Sequence, residues 1–396
     1  MQKYNLDLYI EINSYNYVFF VVKKDEQNDC KIALKLEIPL NGIDNNRVSN
    51  IDLSSNVIKE NIFLIEKKFN YTFKSLFLIL DNFNPQFINI SGYKKLNGSQ
   101  VLKENITYIL NTLKSCVEEI EEKKKILHIF NSKFYLNKKK IENLPIGLFG
   151  DFYCHELSFI LIHKNDYKNI RNIFDKCSLK IKKILVKNFI KGALISEKYK
   201  NMDSFFFINI NDKNSKIFYF ENNSLKFEQN FPFGFDIVIK DVSKITSLKF
   251  DSVKKIIEKI ELNSGISKED LLEKKFFTDD SYRKIKKKLI YDVALARIQE
   301  ISELILLNNT NLNYYNKRCK NIFIETSKKN ECFKEICKTS FKMKGESNIY
   351  FLEDLSFDGV LATANTLVHY GWKKEAIPFT QSKKSIITRF FDTFFS

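Results

Sequence analysis

Long apolar runs are missing from this 396-residue chain, and none approaches the roughly 18–20 residues that a membrane-spanning helix requires. The opening stretch "MQKYNLDLYIEIN" lacks the basic head and apolar core of a signal peptide, so a cytosolic compartment is expected. The seven cysteines include no CxxC pair, which argues against a zinc site or a disulfide framework and for reduced thiols. The four histidines, His128, His155, His163 and His369, show no metal-ligand spacing. No GxSxG elbow, HExxH helix motif or Walker loop occurs, which removes the common signatures of hydrolases, zinc proteases and P-loop enzymes. Glycine is scarce: eleven residues, at 42, 92, 98, 147, 150, 192, 234, 265, 345, 359 and 371.

What is present describes a folded protein. Hydrophobic residues make up 44% and charged residues 28%, a balance that supports a sizeable core rather than disorder. The net charge of +16 raises nucleic acid or an anionic membrane as partners. The lysines are spread along the chain and accompany abundant Asn, Ile and Phe, the usage expected of AT-rich codons. No nucleic-acid partner is expected on that ground.

Residues 4–38 read as three extended segments. In "LDLYIEI" the residues Leu6, Leu8, Ile10 and Ile12 fall on one side at the period of a strand; "YVFFVV" and "KIALKLEI" follow after short polar turns. "NVIKENIFLIEKKFN" (56–70) has helical spacing, and "SLFLIL" (75–80) reads as a buried strand. The same order returns at "SFFFINI" (204–210), "KIFYF" (216–220) and "SLKFEQNF" (224–231), with a helical stretch at "GFDIVIKDVSKIT". This repetition of architecture suggests an α/β, two-lobed fold of the kind shared by actin, sugar kinases and Hsp70-type chaperones. Between the halves, "LKENITYILNTLKSCVEEIEEKKK" (102–125) is a helix candidate with Ile106, Ile109, Leu110, Leu113 and Val117 on one face, and "EEIEEKKK" is expected to be its solvated end. A strand is expected at "ELSFILIH". A basic, helix-rich stretch follows the second meander, from Ser252 to Leu307.

From "LPIGLFG", with Pro145, Gly147 and Gly150, through "FIKGALISEKY" the chain resembles the bacterial cell-division actin homologues of the FtsA family. "NFPFGFDIVIKDVSKIT", with Gly234 and Asp241, is similar to a family segment that carries paired glycines. "IYDVALARIQEISELI" matches a family helix through Arg297 and Glu300, and "LATANTLVHYGW" resembles the end of the family's globular part. The matches run in order from about residue 88 to the carboxyl end.

The resemblance implies an ATPase-type site made of three loops, with ATP and Mg²⁺ as the cofactors it offers. The matching positions are Glu11, Asn13 and Ser14 in "EINSYNY", Asn209, Asn211 and Asp212 in "NINDKNS", and Thr326 and Ser327 in "IETSKKNE". Loops of this kind present backbone amides to phosphate and use glycine for close approach and positive φ. None of the eleven glycines lies in the three loops, and the expected metal-side aspartates are gone. Asp212 sits where it would imitate a ligand, or simply shape a hairpin turn. No general base is evident, so an enzyme is not expected and no cofactor is assigned with assurance.

The chain ends "KKSIITRFFDTFFS". On a helix at about 100° per residue, Ile386, Ile387, Phe390, Phe391, Phe394 and Phe395 share one half, while Arg389 and the small polar residues share the other. Lys383 and Lys384 stand at the entry. The pattern is that of a helix lying in a membrane interface; a terminal helix docked on its own core is the competing reading. Six apolar side chains at about 1.5–3 kcal/mol each give a gross gain of about 10–15 kcal/mol. Ordering each residue costs roughly 1–2 kcal/mol, so a single tail binds weakly and several on one polymer bind firmly.

By resemblance, 1–87 and 165–203 form lobe 1A, 88–164 the family's 1C insertion, 204–245 and 325–371 lobe 2A and 246–324 lobe 2B, with a linker at 372–382 before the helix at 383–396. The implied function is an adaptor that tethers filaments of the tubulin homologue FtsZ to the cytoplasmic face of the inner membrane at the division site and recruits other division proteins. Implied partners are the FtsZ C-terminal peptide, with Arg297 and Glu300 as contacts, anionic lipid, and further copies of the chain in actin-like filaments. The rival readings are an active ATPase or phosphotransferase of the same fold, and a pilus-assembly actin-like adaptor.

Overall fold

The computed structural model describes residues 5–24, 30–81, 83–199, 202, 204–222, 224–259, 267, 269–277, 280–316, 319–326, 331–343, 347–352 and 357–369. Ser327 and the whole terminal segment 383–396 lie outside the described residues. Two compact units divide the chain, one comprising residues up to Ile190 together with those from Val360 onward, the other Lys191–Gly359.

In the first unit, β1 (Asn5–Ile12), β2 (Asn16–Lys24) and β3 (Cys30–Pro39) form an antiparallel meander. The short pair β4 (Ile43–Asp44) and β5 (Arg47–Val48) leads to α1 (Ile51–Phe69) and β6 (Ser75–Leu80). The helix starts at Asn50, whose side chain accepts from the Leu53 amide at 3.0 Å, a side-chain N-cap. It stops at Asn70, which takes the left-handed conformation. Leu6, Leu8, Ile10 and Ile12 point into one core with Ile58, Ile62 and Ile65 of α1. The opposite face of β1 is covered as well: Tyr9 is fully buried and Glu11 nearly so.

Next comes an inserted module. It consists of β7 (Gln86–Lys95), α2 (Lys103–Ile120), β8 (Lys124–Leu136), β9 (Lys139–Ile141) and β10 (Phe152–His163), with sheet order β7-β10-β8-β9. Its core is separate from that of the first sheet: Ile106, Ile109, Leu110, Leu113 and Val117 of α2 pack on Leu157, Phe159 and Leu161 of β10. The expected solvated helix end at 118–125 is corrected: α2 stops at Ile120, and Lys124 and Lys125 already belong to β8. After the module, α3 (Lys164–Lys176), β11 (Lys180–Val186) and α4 (Lys187–Lys198) complete the first sheet in the order β11-β6-β1-β2-β3, with β11, β6 and β1 parallel.

The second unit repeats the plan. The meander β12 (Ser204–Ile210), β13 (Ser215–Glu221) and β14 (Ser224–Phe231) is followed by α5 (Phe235–Thr246), α6 (Phe250–Lys259), α7 (Lys287–Ser302), α8 (Asn313–Asn316), β15 (Asn321–Thr326), α9 (Glu331–Ser340), β16 (Asn348–Phe351) and α10 (Phe357–His369). Its sheet order is β14-β13-β12-β15-β16, with β12, β15 and β16 parallel. Strand for strand this equals the first sheet: meander, then two parallel strands added beside the meander's first strand. The duplication read from the sequence is therefore a duplication of sheet topology, the α/β plan of an actin-like ATPase fold.

The helices of the basic stretch share one continuous core with the sheet, since Val253, Ile256, Ile290 and Ala294 cluster with Phe206, Ile208 and Ile324. Residues 360 onward of α10, expected in the second half, belong to the first unit. There Tyr9 Oη donates to Asn365 Oδ1 at 2.8 Å and Lys183 Nζ donates to the Leu367 carbonyl at 2.7 Å.

Candidate functional site

Each unit places its candidate residues at the hairpin that ends the first strand of its meander. In the first unit β1 delivers Glu11, and Asn13, Ser14 and Tyr15 make the turn to β2. The Asn13 carboxamide oxygen accepts from the amides of Tyr15 (2.9 Å) and Asn16 (2.8 Å). The Asn13 amide donates to the Asn16 carbonyl at 3.1 Å, and its Nδ2 donates to Glu11 Oε1 at 3.2 Å. Amides that a phosphate loop leaves open to an oxyanion are occupied here by a side chain of the same loop.

Glu11 is 1% exposed. A buried carboxylate needs a counter-charge, and Lys187, the first residue of α4, supplies it: Nζ lies 2.7 Å from Glu11 Oε1 and 3.4 Å from Oδ2 of Asp81, which follows β6. Burial alone would lower the Lys187 pKa. Asp81 and Glu11 outweigh it and hold the ammonium above the ordinary lysine range.

In the second unit β12 delivers Asn209, and Asn211 to Asn214 form the turn to β13. The Asn211 amide donates to the Asn214 carbonyl at 2.9 Å, and Asn211 Nδ2 donates to Asn214 Oδ1 at 3.0 Å. The first amides of α5 are spent on the same hairpin, Phe235 on the Asn211 carbonyl (3.0 Å) and Asp236 on that of Asp212 (2.8 Å). Gly234 makes that approach feasible: a Cβ there would sit 2.1 Å from the Asn211 oxygen. Asn209 and Lys191 of α4 meet at Glu325 of β15; Lys191 Nζ lies 2.9 and 2.7 Å from its two oxygens, and Asn209 Nδ2 donates to Oε2. Thr326, opposite Ile210 in the register, ends β15. Neither hairpin contains a residue with positive φ, so the Asn and Ser residues at these positions meet no backbone strain.

These residues do not fit a magnesium nucleotide. In the first unit Asn13 Oδ1 takes the amides of Tyr15 and Asn16, and an ammonium already sits between the carboxylates of Glu11 and Asp81; in the second the first amides of α5 are spent on the carbonyls of Asn211 and Asp212. Among the described residues no three His, Cys, Asp or Glu side chains group as a metal site. The partners that complete the two arrangements, Asp81, Lys187, Lys191 and Glu325, escape a reading of the sequence. The available signal was a lone polar residue inside or just after a buried strand, as in "SLFLILD", "KIKKILVK" and "NIFIET".

Arg297 and Glu300 lie on α7 and pair with each other at 2.6 Å; Arg297 Nε also donates to Asp241 of α5. In the basic stretch around them Lys286 pairs with Glu269 (3.5 Å) and Lys288 with Asp292 (3.0 Å). No described helix is long and apolar enough to cross a membrane.

No family model matches the chain. It is 24% identical over 365 residues to Cell division protein FtsA of Buchnera aphidicola subsp. Schizaphis graminum (strain Sg), covering 87% of this chain and 85% of that protein. The chain is a divergent relative of FtsA. The protein of the same name from Buchnera aphidicola subsp. Acyrthosiphon pisum (strain APS) is 25% identical over 216 residues, 54% of this chain and 51% of its own length. These matches bear out the resemblance read from the ordered motifs and support a cell-division role. Among solved structures, a chain of a PilM-PilN type IV pilus biogenesis complex aligns at 10% identity and a TM-score of 0.48, over 92% of this chain and 97% of its own.

Proposed function

We propose that this chain is a cell-division adaptor that tethers FtsZ filaments to the cytoplasmic face of the membrane at the division site and helps recruit further division proteins. The observation that carries the reading is the kinship with FtsA along 87% of the chain. The loop geometry supports an adaptor over an enzyme, because Asn13 takes two amides of the first hairpin, Lys187 neutralises Glu11, and the first amides of α5 are spent on carbonyls. In this reading residues 383–396 form the lipid-binding helix, with Lys383, Lys384 and Arg389 reaching anionic headgroups and the Ile and Phe residues entering the interface. The inserted module β7–β10 is the 1C element, and the helices around α7 receive the FtsZ peptide near Arg297 and Glu300. Self-association into filaments multiplies weak tails into a firm attachment.

Flotation with anionic liposomes tests the anchor. The wild-type chain floats, and Phe391→Asp with Phe394→Asp stays at the bottom of the gradient. Equal flotation of the two removes the tail from the reading. A pull-down with the FtsZ C-terminal peptide tests the partner; absence of capture by the folded chain would refute it.

A further inference from the structure

The two hairpins are filled from within, and the filling has the chemistry of what it displaces. A phosphate oxygen accepts hydrogen bonds from successive amides; the Asn13 Oδ1 atom does so from Tyr15 and Asn16. A bound cation balances buried carboxylates; the Lys187 ammonium sits between Glu11 and Asp81 at 2.7 and 3.4 Å, with Glu11 1% exposed. An anion at the start of α5 would accept from its first amides; the carbonyls of Asn211 and Asp212 accept them at 3.0 and 2.8 Å. Within the first unit two such features are thus reproduced by residues far apart in the chain, Lys187 and Glu11 being 176 positions apart; the third is reproduced within the second unit by itself.

We propose that Lys187 is a resident cation and Asn13 a resident acceptor, standing in for metal and phosphate, so that the chain holds its hairpins closed with neither nucleotide nor divalent metal. A ligand that binds only the folded state raises its stability; a fold that carries its own substitutes gains nothing from adding one. Removal of the ammonium turns the relation around. Glu11 and Asp81 then face each other without a counter-charge, and a divalent cation becomes the group that restores balance. The inference rests on residues of the hairpins and stands whether or not the terminal segment binds lipid.

The test uses the full-length chain in thermal melts and calorimetric titrations. For the wild type, magnesium with ATP or ADP at millimolar concentration produces no binding heat and no shift in melting temperature, and EDTA changes nothing. Micromolar nucleotide affinity, or a magnesium-dependent melting temperature, overturns the proposal. Lys187→Ala melts lower in EDTA and recovers at least half of that loss in millimolar Mg²⁺ or Mn²⁺; no recovery overturns the role of Lys187. If Lys187→Ala does not fold in EDTA, refolding in Mn²⁺ gives the same decision through the yield of soluble protein. Glu11→Gln with Lys187→Met removes both charges and is insensitive to divalent cations; sensitivity in that double variant places the metal effect elsewhere and overturns the assignment.

Discussion

The two units share a sheet topology and differ in how they neutralise the same position of it. In the first, one lysine serves two carboxylates, and Glu11 is buried to 1% exposure. In the second, the residue matching Glu11 in the meander is the neutral Asn209, and one carboxylate, Glu325, is shared between it and Lys191. Glu325 is also more open, with its side chain 21% exposed. The first arrangement carries an excess negative charge, one of its carboxylates fully buried; the second is balanced and buries no carboxylate completely. Equal backbone plans therefore do not impose equal electrostatic stakes, because cost depends on burial and on the count of charges as well as on distance.

That contrast sets an order of effects. The largest belongs to Lys187→Met, which strands two carboxylates and lowers stability by about 3–5 kcal/mol, read from denaturant unfolding. Acid comes next and acts first on the inserted module, because the half-buried His128 of β8 and the buried His155 of β10 both lie there. Burial lowers His155 to about 4; burial, with a smaller push from Lys183, lowers His128 to about 3. A histidine depressed in the folded state stabilises fully above its unfolded value near 6.5 and loses that contribution as pH falls through the folded value. Hydrogen exchange between about pH 6.5 and pH 4 should therefore show protection lost in the inserted module before the second unit, and simultaneous loss would contradict the assignment.

In the second unit Gly234→Ala drives a methyl into the Asn211 carbonyl and costs about 1–3 kcal/mol, with faster exchange of the Phe235 and Asp236 amides as the local signature. Lys191→Met costs less than Lys187→Met, about 1–2 kcal/mol; an equal or larger loss would erase the distinction drawn between the units. The smallest effect is that of Asn13→Ala, about 1 kcal/mol for two side-chain acceptances at an exposed turn.

Local periodicity carried much of the fold. The five apolar positions named for α2 are the five it buries, and "SLFLIL" is β6 to the residue, because a buried face at period 3.6 or a wholly apolar run leaves its mark within a few residues. The start of α1 at Ile51 was missed by five positions, since its cap is a single Asn50 side chain. Alternation in β1 located the Leu and Ile face but carried no sign that Tyr9 and Glu11 on the other face are buried as well, because their partners lie 356 and 176 positions away. The site was legible in part for the same reason. Loss of glycine from the loops marked them as altered, but the lysines that complete them pair across distances that no window of sequence contains.

The fastening of α10 has a mechanical consequence. Its last described turns are tied to β1 through Tyr9 and Asn365 and to β11 through Lys183 and the Leu367 carbonyl. Tension applied to the chain beyond residue 369 enters the body at that helix and is handed to two strands of a five-stranded sheet. Load entering at α10 is thus shared by two strands of one sheet, and loosening either bond should shorten how long the molecule withstands a steady pull.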